Sequence, residues 1–299
     1  MRIGTRRSAL ALAQAEQVAK MLGGAEIVPI VTGGDRGEAI GDKSRWVAEL
    51  EEALLRGEVD LAVHSAKDLP GERAEGLALL GAPARAAAED VLCGVGGLEH
   101  LPAGARVGTS SLRRLAQLSA AREDIEVVAL RGNVDTRLAK LARGEDGLSA
   151  IVLARAGLQR LGRDGESGGV LDPERFVPAP GQGVLALEAR EDDETVRAAV
   201  VEITDQAAFA SLLCERALAR ELSADCDTPL GAHALPLAGG RLGLRAWIGL
   251  PDGSQWIGDE LDGEISDPEG LGRAMAERLR AVGAEDLLRR AREAARVGG

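Results

Sequence analysis

Apolar residues recur along this chain in two rhythms. Short apolar runs bounded by polar residues predict buried strands, and longer stretches with apolar residues every three or four positions predict amphipathic helices. Residues 2–5 read as a first strand, with Ser8 as the N-cap of a helix whose apolar face is Leu12, Ala15, Ala19 and Leu22. Residues 26–31 predict a second strand. Residues 32–45, TGGDRGEAIGDKSR, are rich in glycine and charge, lack an apolar period and predict a mobile loop. Val47, Leu50 and Leu54 then mark a helix. The run Leu61, Ala62, Val63 predicts a strand that ends abruptly in a polar cluster, His64, Ser65, Lys67 and Asp68, before Pro70. Residues 77–81 and 91–95 predict two more strands around a crossover.

From Arg106 the strand–helix pattern restarts. Arg106 and Val107 predict a strand, GTSSLRR opens a helix, and residues 127–130 predict a strand. RGNVDTR opens the next helix, with Val134, Leu138 and Leu141 inward and Gly144 at its C-terminal end. Residues 150–153 are a further strand, and a helix runs from near Arg155 to Leu161. PAPGQG, residues 178–183, punctuates the chain, and residues 184–189 predict a strand crossing back to the first unit. After Thr204 a helix over 207–222 precedes two alternating segments, RLGLRAWIGL and SQWIGDELDG, joined by PDG as in a β-hairpin. Two Ala/Arg/Glu-rich helices close the chain. Two strand–helix sets predict an α/β fold of two domains with mostly parallel sheets, and a smaller C-terminal α+β domain. The expected divisions are 1–84 together with 181–203, then 85–180, then 204–299.

Composition narrows the partners. The chain has 299 residues, 45% hydrophobic and 28% charged, as in a soluble globular protein. A net charge of −12 argues against a nucleic-acid partner. No apolar run approaches the roughly 18 to 20 residues of a membrane span, and the first residues lack the apolar core of a signal peptide. Three cysteines make no disulfide framework, and no paired spacing suggests a metal, so a cytoplasmic location is expected. Two Phe and three Trp form no aromatic-rich patch, so a monomer is the expectation.

Only Lys20, Lys43, Lys67 and Lys140 are lysines among the 36 basic residues, so arginines must be judged by position. Several share one context. Arg6 and Arg7 follow the first strand. Arg113 and Arg114 follow Ser110 and Ser111 in the first turn of a helix. Arg131 and Arg137 flank the start of the next helix, and Arg155 follows a strand. A cation in the first turn opposes the helix dipole by about 0.3–1 kcal/mol, so the repetition calls for an anion nearby. Helix N-termini and arginine forks both bind carboxylates and phosphates. The predicted strand ends therefore face a crevice suited to a polyanion. Cys93 and Cys214 lie in apolar surroundings, whereas Cys226 sits in the polar loop ELSADCDTPLGAHA, either as a nucleophile or attachment point or as an ordinary loop residue beside two aspartates.

HSAKDLP, GTSSLRR, LRGNVDTRL, AGLQRLG, PAPGQG and ERALARELSADCDTPLGA occur here in the order found in the porphobilinogen deaminase (hydroxymethylbilane synthase) family, and the resemblance spans nearly the whole chain. It implies two domains shaped like a periplasmic binding protein with hinge crossovers, and a third, smaller one. It implies a dipyrromethane cofactor joined by a thioether to Cys226, to which four porphobilinogens are added in turn with loss of ammonia before hydrolysis releases hydroxymethylbilane. By match to the motifs, Asp68 is the catalytic carboxylate that stabilises the azafulvene-like cation, and Lys67 binds a carboxylate. Arg6, Arg113, Arg114, Arg131, Arg137 and Arg160 match the anion-binding arginines, and Ser8, Ser110 and Ser111 the hydroxyl donors. Gln182 falls in the crossover turn, as a binding residue or a structural one. Ala224 and Asp225 stand where the family usually has two glycines. Lys43 and Trp46 fall in the lid region, where Trp46 covers the site or packs a helix. Two alternatives remain at this point. A non-catalytic two-lobed anion-binding module explains the arginines but not Asp68, Cys226 or the third domain. A cofactor-less paralogue explains the altered residues before Cys226.

Overall fold

The computed structural model describes residues 1–31, 44–225 and 228–297. The loop expected over 32–45 lies outside the described residues up to residue 43, as do Lys43 and Cys226. Residues 44 and 45 open a helix instead, and Trp46 lies in that helix with its side chain outside the description.

Among the described residues there are three sheets. The first is built from β1 (Arg2–Arg6), β2 (Glu26–Ile30), β3 (Leu61–Ser65), β4 (Leu77–Gly81) and β10 (Leu185–Arg190), in the order β2-β1-β3-β10-β4. The second has β5 (Asp90–Cys93), β6 (Arg106–Gly108), β7 (Glu126–Val128), β8 (Leu148–Ala154) and β9 (Gly169–Val170), in the order β7-β6-β8-β5-β9. The expectation of mostly parallel sheets is half met. β1 runs parallel to β2 and β3, and β6 to β7 and β8, but β10 and β5 are antiparallel to both of their neighbours. The reason is the crossover: each of these strands enters its sheet from the other unit rather than through a strand–helix–strand step.

Helices pack on the sheets through their apolar stripes. α1 (Ala9–Met21) starts at Ser8, whose Oγ accepts from the Ala11 amide, and it buries Ala11, Ala15, Val18 and Ala19, with Leu22 packed against the same core and Leu12 half-buried. α2 (Ser44–Leu55) buries Val47, Leu50 and Leu54 as the period predicts. α3 (Leu112–Ala121) and α4 (Val134–Ala142) are capped by the side chains of Ser111 and Asn133, and α5 (Arg155–Arg160) follows β8 directly. Gly144 takes a left-handed φ of 61° just past α4, as a C-terminal stop requires.

The third sheet is a meander of β11 (Leu230–Leu237), β12 (Arg241–Gly249) and β13 (Trp256–Glu264). The β12–β13 hairpin is as expected, but β11 is an addition. Its Pro236 and short polar flank hide it from the pattern, and a proline is tolerated because β11 is an edge strand. A helix over Glu194–Ile203, α6, is also additional; Val196 and Val200 are its buried stripe. α7 (Gln206–Glu221), α8 (Pro268–Ala281) and α9 (Ala284–Val297) complete the chain, and α7 and α8 pack with the third sheet around Leu218, Leu244, Met275 and Leu279.

Two segments join the first two sheets, one between β4 and β5 and one between β9 and β10. They pack against each other tightly. Gly183 has φ +86°, and a Cβ there would meet Ala86 O at 2.5 Å; Gly181 has φ +73°, and a Cβ would meet Ala66 Cβ at 2.8 Å. PAPGQG therefore needs its glycines both for left-handed backbone and for close approach.

Candidate active site

Parallel strands of the first sheet end, at Arg6 and Ser65, on a pocket, and Arg137 of the second unit lies close enough for its charge to interact with Asp68 there. In open α/β sheets such strand ends are where ligands bind. On the first wall, β3 ends at Ser65 and continues as a single 3-10 turn, Ala66–Asp68. The turn is fixed by the hinge: the Ala66 amide donates to Val184 O at 3.0 Å. Lys67 and Asp68 are half-buried in it. A pocket of about 70 Å³ opens here, lined by Arg6 at the end of β1, Ser8 just beyond it, Gln14 on α1, His64, Ser65 and Asp68. Gln14 Nε2 donates to Ser65 Oγ at 2.7 Å, and the buried pair His64 Nε2 and Glu188 Oε2 lies 2.9 Å apart below them.

The second wall carries the arginines. Arg113 and Arg114, the first turn of α3, are buried and share one carboxylate. Arg113 Nη2 donates to Asp90 Oδ2 at 2.8 Å, and Arg114 Nη2 to Asp90 Oδ1 at 2.7 Å. Their remaining forks donate to Val177 O, Gln117 Oε1 and Val152 O. Burial alone would push the Asp90 carboxyl up, but the two guanidinium charges outweigh it and hold it well below the ordinary carboxylate range. The anion that these helix-start cations call for is thus supplied by the chain itself. Gln182 joins the same group. It is fully buried and donates from Nε2 to Ala88 O at 2.6 Å and Asp90 Oδ1 at 2.9 Å. Of its two readings, these contacts favour the structural one, a link between hinge and second sheet.

The other arginines are placed differently. Arg131 is exposed just beyond β7. Arg137, on α4, is half-buried and donates from Nε to Gly132 O at 2.8 Å. Burial first, and then the charge of Arg114, lower its pKa, while Asp68 acts in the opposite sense, so Arg137 feels both walls of the cleft. Arg160, at the end of α5, donates from Nη2 to Gly183 O at 2.7 Å, but its Nε is buried with no hydrogen-bond partner. Burial pushes its pKa down to about 10. A buried guanidinium with an unused donor has the chemistry to accept an anion. Arg155 is paired with Asp164 instead, at 3.2 Å, and Arg7 is exposed. Among the expected hydroxyls, Ser110 donates from Oγ to Leu130 O at 2.7 Å, and the Oγ atoms of Ser8 and Ser111 cap their helices.

Two residues that organise this site went unnoticed in the sequence. Asp90 opens β5, and its charge beside Val91, Leu92 and Cys93 was the available signal. Glu215 is fully buried in α7 and accepts from Arg85 Nη1 at 2.6 Å, the Gly181 amide at 2.6 Å and the Ala234 amide at 2.7 Å. It falls in the buried stripe Ser211, Cys214, Glu215, Leu218, where a lone carboxylate demands a partner. Beyond α7, Ser223 takes a positive φ of 48°, whereas Ala224 and Asp225 do not, so the missing glycines leave no strain at those two positions. Among the described residues no three His, Cys, Asp or Glu side chains are grouped to hold a metal ion.

The chain is similar to known proteins over nearly its whole length. Residues 1–198 match the family model described as porphobilinogen deaminase, dipyromethane cofactor binding domain, and residues 209–281 match the porphobilinogen deaminase C-terminal domain. Porphobilinogen deaminase of Roseiflexus sp. (strain RS-1) is 46% identical over 96% of this chain and 97% of its own length. The porphobilinogen deaminase of Deinococcus radiodurans is 42% identical over 97% of this chain and 98% of its own. Among solved structures, the methionine binding protein MetQ overlays with a TM-score of 0.43 at 15% identity, over 68% of this chain and 89% of that one.

Proposed function

The chain belongs to the porphobilinogen deaminase family, and from that premise we propose that it joins four porphobilinogen molecules head to tail, with loss of ammonia from each, and releases hydroxymethylbilane for porphyrin and haem biosynthesis. The observation that carries the reading is the two-walled cleft: Asp68 lines one side beside Arg6, and Arg137 on the other side senses its charge.

Dipyrromethane is the cofactor of this family, and when bound it supplies the pyrrole chain that is extended. The residues present fit such a group, because its side chains are carboxylates and the cleft offers a buried guanidinium, Arg160, whose Nε has no hydrogen-bond partner. Its attachment point in this reading is Cys226. Support comes from the other two thiols: Cys93 and Cys214 are buried, and burial raises both pKa values, to about 11 for Cys93, which makes neither a nucleophile.

In the proposed mechanism Arg6, Lys67, Arg131, Arg137 and Arg160 hold acetate and propionate groups by charge-assisted hydrogen bonds. Ser8, Ser110 and Ser111 fix the backbone from which these side chains reach, and Arg113 and Arg114, set by Asp90, keep the root of the cleft positive. Asp68 accepts the pyrrole N–H and stabilises the positive charge that develops on the ring as ammonia departs. It also takes part in moving the proton that the new carbon–carbon bond displaces. The same reading divides the chain at 1–84 with 181–203, 85–180 and 204–299, and makes it a cytoplasmic monomer. Among the described residues no helix is long and apolar enough to cross a membrane.

The test is the mass of the purified, denatured chain and of its Cys226 peptide, before and after incubation with porphobilinogen. The expected result is an excess equal to a dipyrrole on that peptide, and hydroxymethylbilane in solution. A Cys226 peptide that stays unmodified after incubation, with no product formed, would move the cofactor-less reading ahead.

A further inference from the structure

α7 presents one side to the turn that carries Asp68. Leu212 is buried in one cluster with Ala66 and Leu69, which flank Lys67 and Asp68. Arg216, one helical turn further on, lies on the same side. Its Nη2 donates to Pro70 O at 2.7 Å and to Gly71 O at 3.2 Å, the two carbonyls that follow Leu69. So α7 grips residues 66–71 by an apolar contact and by a cationic clamp.

The preceding residue, Glu215, faces the hinge through Gly181 and Arg85. Gly181 in turn lies against Ala66 and Lys67. Consecutive residues of one helix therefore fasten the hinge and the catalytic turn. The helix then continues from Arg216 to Glu221, about 7.5 Å at 1.5 Å per residue, and leads into Ser223, Ala224 and Asp225 ahead of Cys226.

Arg216 is an expensive residue to use this way. Burial first, and then the like charges of Arg73 and Arg220, lower its pKa to about 10, with Glu188 acting in the opposite sense. Its hydrogen bonds go to main-chain carbonyls rather than to a carboxylate. A neutral side chain would pack there without that desolvation, so the cation points to a need for the carbonyl clamp itself.

We infer that Arg216 is a positioning residue for Asp68: it fixes the turn Ala66–Asp68 against α7, so that the catalytic carboxylate is held in register with the helix that leads to the cofactor attachment point. The inference rests on the proposed activity and adds to it a part of the chain that touches no substrate. An error of about 1 Å in such a register is enough to slow a reaction about 100-fold.

The experiment is a double-mutant cycle on the holoenzyme with Arg216→Met and Asp68→Asn, read by single-turnover and steady-state kinetics with porphobilinogen. Arg216→Met is expected to carry the dipyrrole mass, to lower kcat about 10- to 100-fold and to leave KM within about threefold. Arg216→Lys, which can reach one carbonyl, restores part of the rate. In the Asp68→Asn background, Arg216→Met costs little more, because the group it positions is gone. Full kcat in Arg216→Met, or the same fold loss with and without Asp68, would overturn the inference. If Arg216→Met does not fold, the same cycle with Arg216→Lys decides. Failure of the activity reading itself looks different: the unsubstituted chain forms no hydroxymethylbilane.

Discussion

Asp90 and Asp68 are aspartates of the same protein, near the root and the mouth of one cleft, and they are used in opposite ways. Asp90 is fully enclosed and holds Arg113 and Arg114 within 2.8 Å, with Gln182 on the same carboxylate. Its charge is neutralised inside the chain. Asp68 is half-buried on a short turn that lines the cleft pocket, and Arg137 across the cleft feels its charge. The arginines divide the same way. Arg113 and Arg114 share the Asp90 carboxylate, whereas Arg160 is buried against a single carbonyl, Gly183 O. The same residue types thus build the frame where they pair deep inside the chain, and the site where they line a pocket.

The largest effect that sharpens this contrast is expected at Asp68. Asp68→Asn keeps the volume and removes the charge. Turnover should fall about 10²- to 10⁴-fold, the usual worth of a positioned acid or base, with the unfolding midpoint close to that of the unsubstituted chain. Steady-state formation of hydroxymethylbilane, beside a thermal melt, checks it. Normal turnover in this variant would remove Asp68 from the mechanism.

Asp90→Asn should do the reverse and strike stability first. It leaves two buried guanidinium groups without their carboxylate, at a cost of about 3–5 kcal/mol. The pH dependence has the same origin. The folded carboxyl is held below its unfolded value near 3.9, so the unfolded chain takes up the proton first. The stabilisation is complete above about pH 4 and is lost as pH falls below it. Urea melts between pH 3 and 6 should show that slope in the unsubstituted chain and lose part of it in Asp90→Asn. A variant as stable as the parent would mean that Asp90 is not the counter-charge its geometry suggests.

Much of this was legible in the sequence, and the parts that were not have a common cause. The strand-then-polar pattern of LAVHSAKDLP located the turn of Asp68, because apolar period and a following Pro are local signals. The helix starts at Ser8, Ser111 and Asn133 were likewise local. The rule that helix-start cations need an anion was sound for Arg113 and Arg114, but the anion proved to be Asp90, 23 residues upstream of Arg113 and on another strand. Glu215 meets Arg85 across 130 residues. Such pairings are set by topology, and no spacing along the chain announces them. The direction of β10 and β5 was missed for the same reason, since it depends on where the crossovers deliver the strand.

A smaller effect separates the two groups of arginines directly. Arg160→Leu removes a guanidinium with one carbonyl partner and a buried, unpartnered Nε, so the melting midpoint should hold or rise while turnover falls about tenfold or more. Arg113→Leu, in contrast, takes one of the two cations from Asp90 and should lower the midpoint. Parallel melts and rates for the two variants test the division. If Arg160→Leu melts lower with its rate intact, Arg160 belongs with the frame and not with the site.

The smallest expected effect lies in the third domain, where a buried group yields its charge rather than pairing it. Burial, followed by the charges of Arg85 and Arg245, lowers the pKa of His233 to about 3, so the ring is neutral in the fold. In the unfolded chain it takes a proton near pH 6.5. Between these values the unfolded state binds a proton that the folded state does not, so stability falls as pH drops from about 6.5 towards 3 and is unaffected above that range. His233→Gln should flatten that portion of the curve while leaving the Asp90 portion below pH 4 in place. Melts of the two variants at half-unit steps of pH would resolve the two contributions, and an unchanged slope between pH 6.5 and 4 in His233→Gln would assign the loss to another group. Arg85 is the link that makes this more than a local matter. It adds to the burial of His233 in keeping the ring neutral and is itself held by Glu215, the carboxylate that also receives the Gly181 amide of the hinge. Protonating His233 in the fold, near pH 3, places a second positive charge beside a residue on which hinge geometry depends, whereas above that pH the ring is neutral in the fold and the loss of stability should leave turnover of the folded protein untouched by this group.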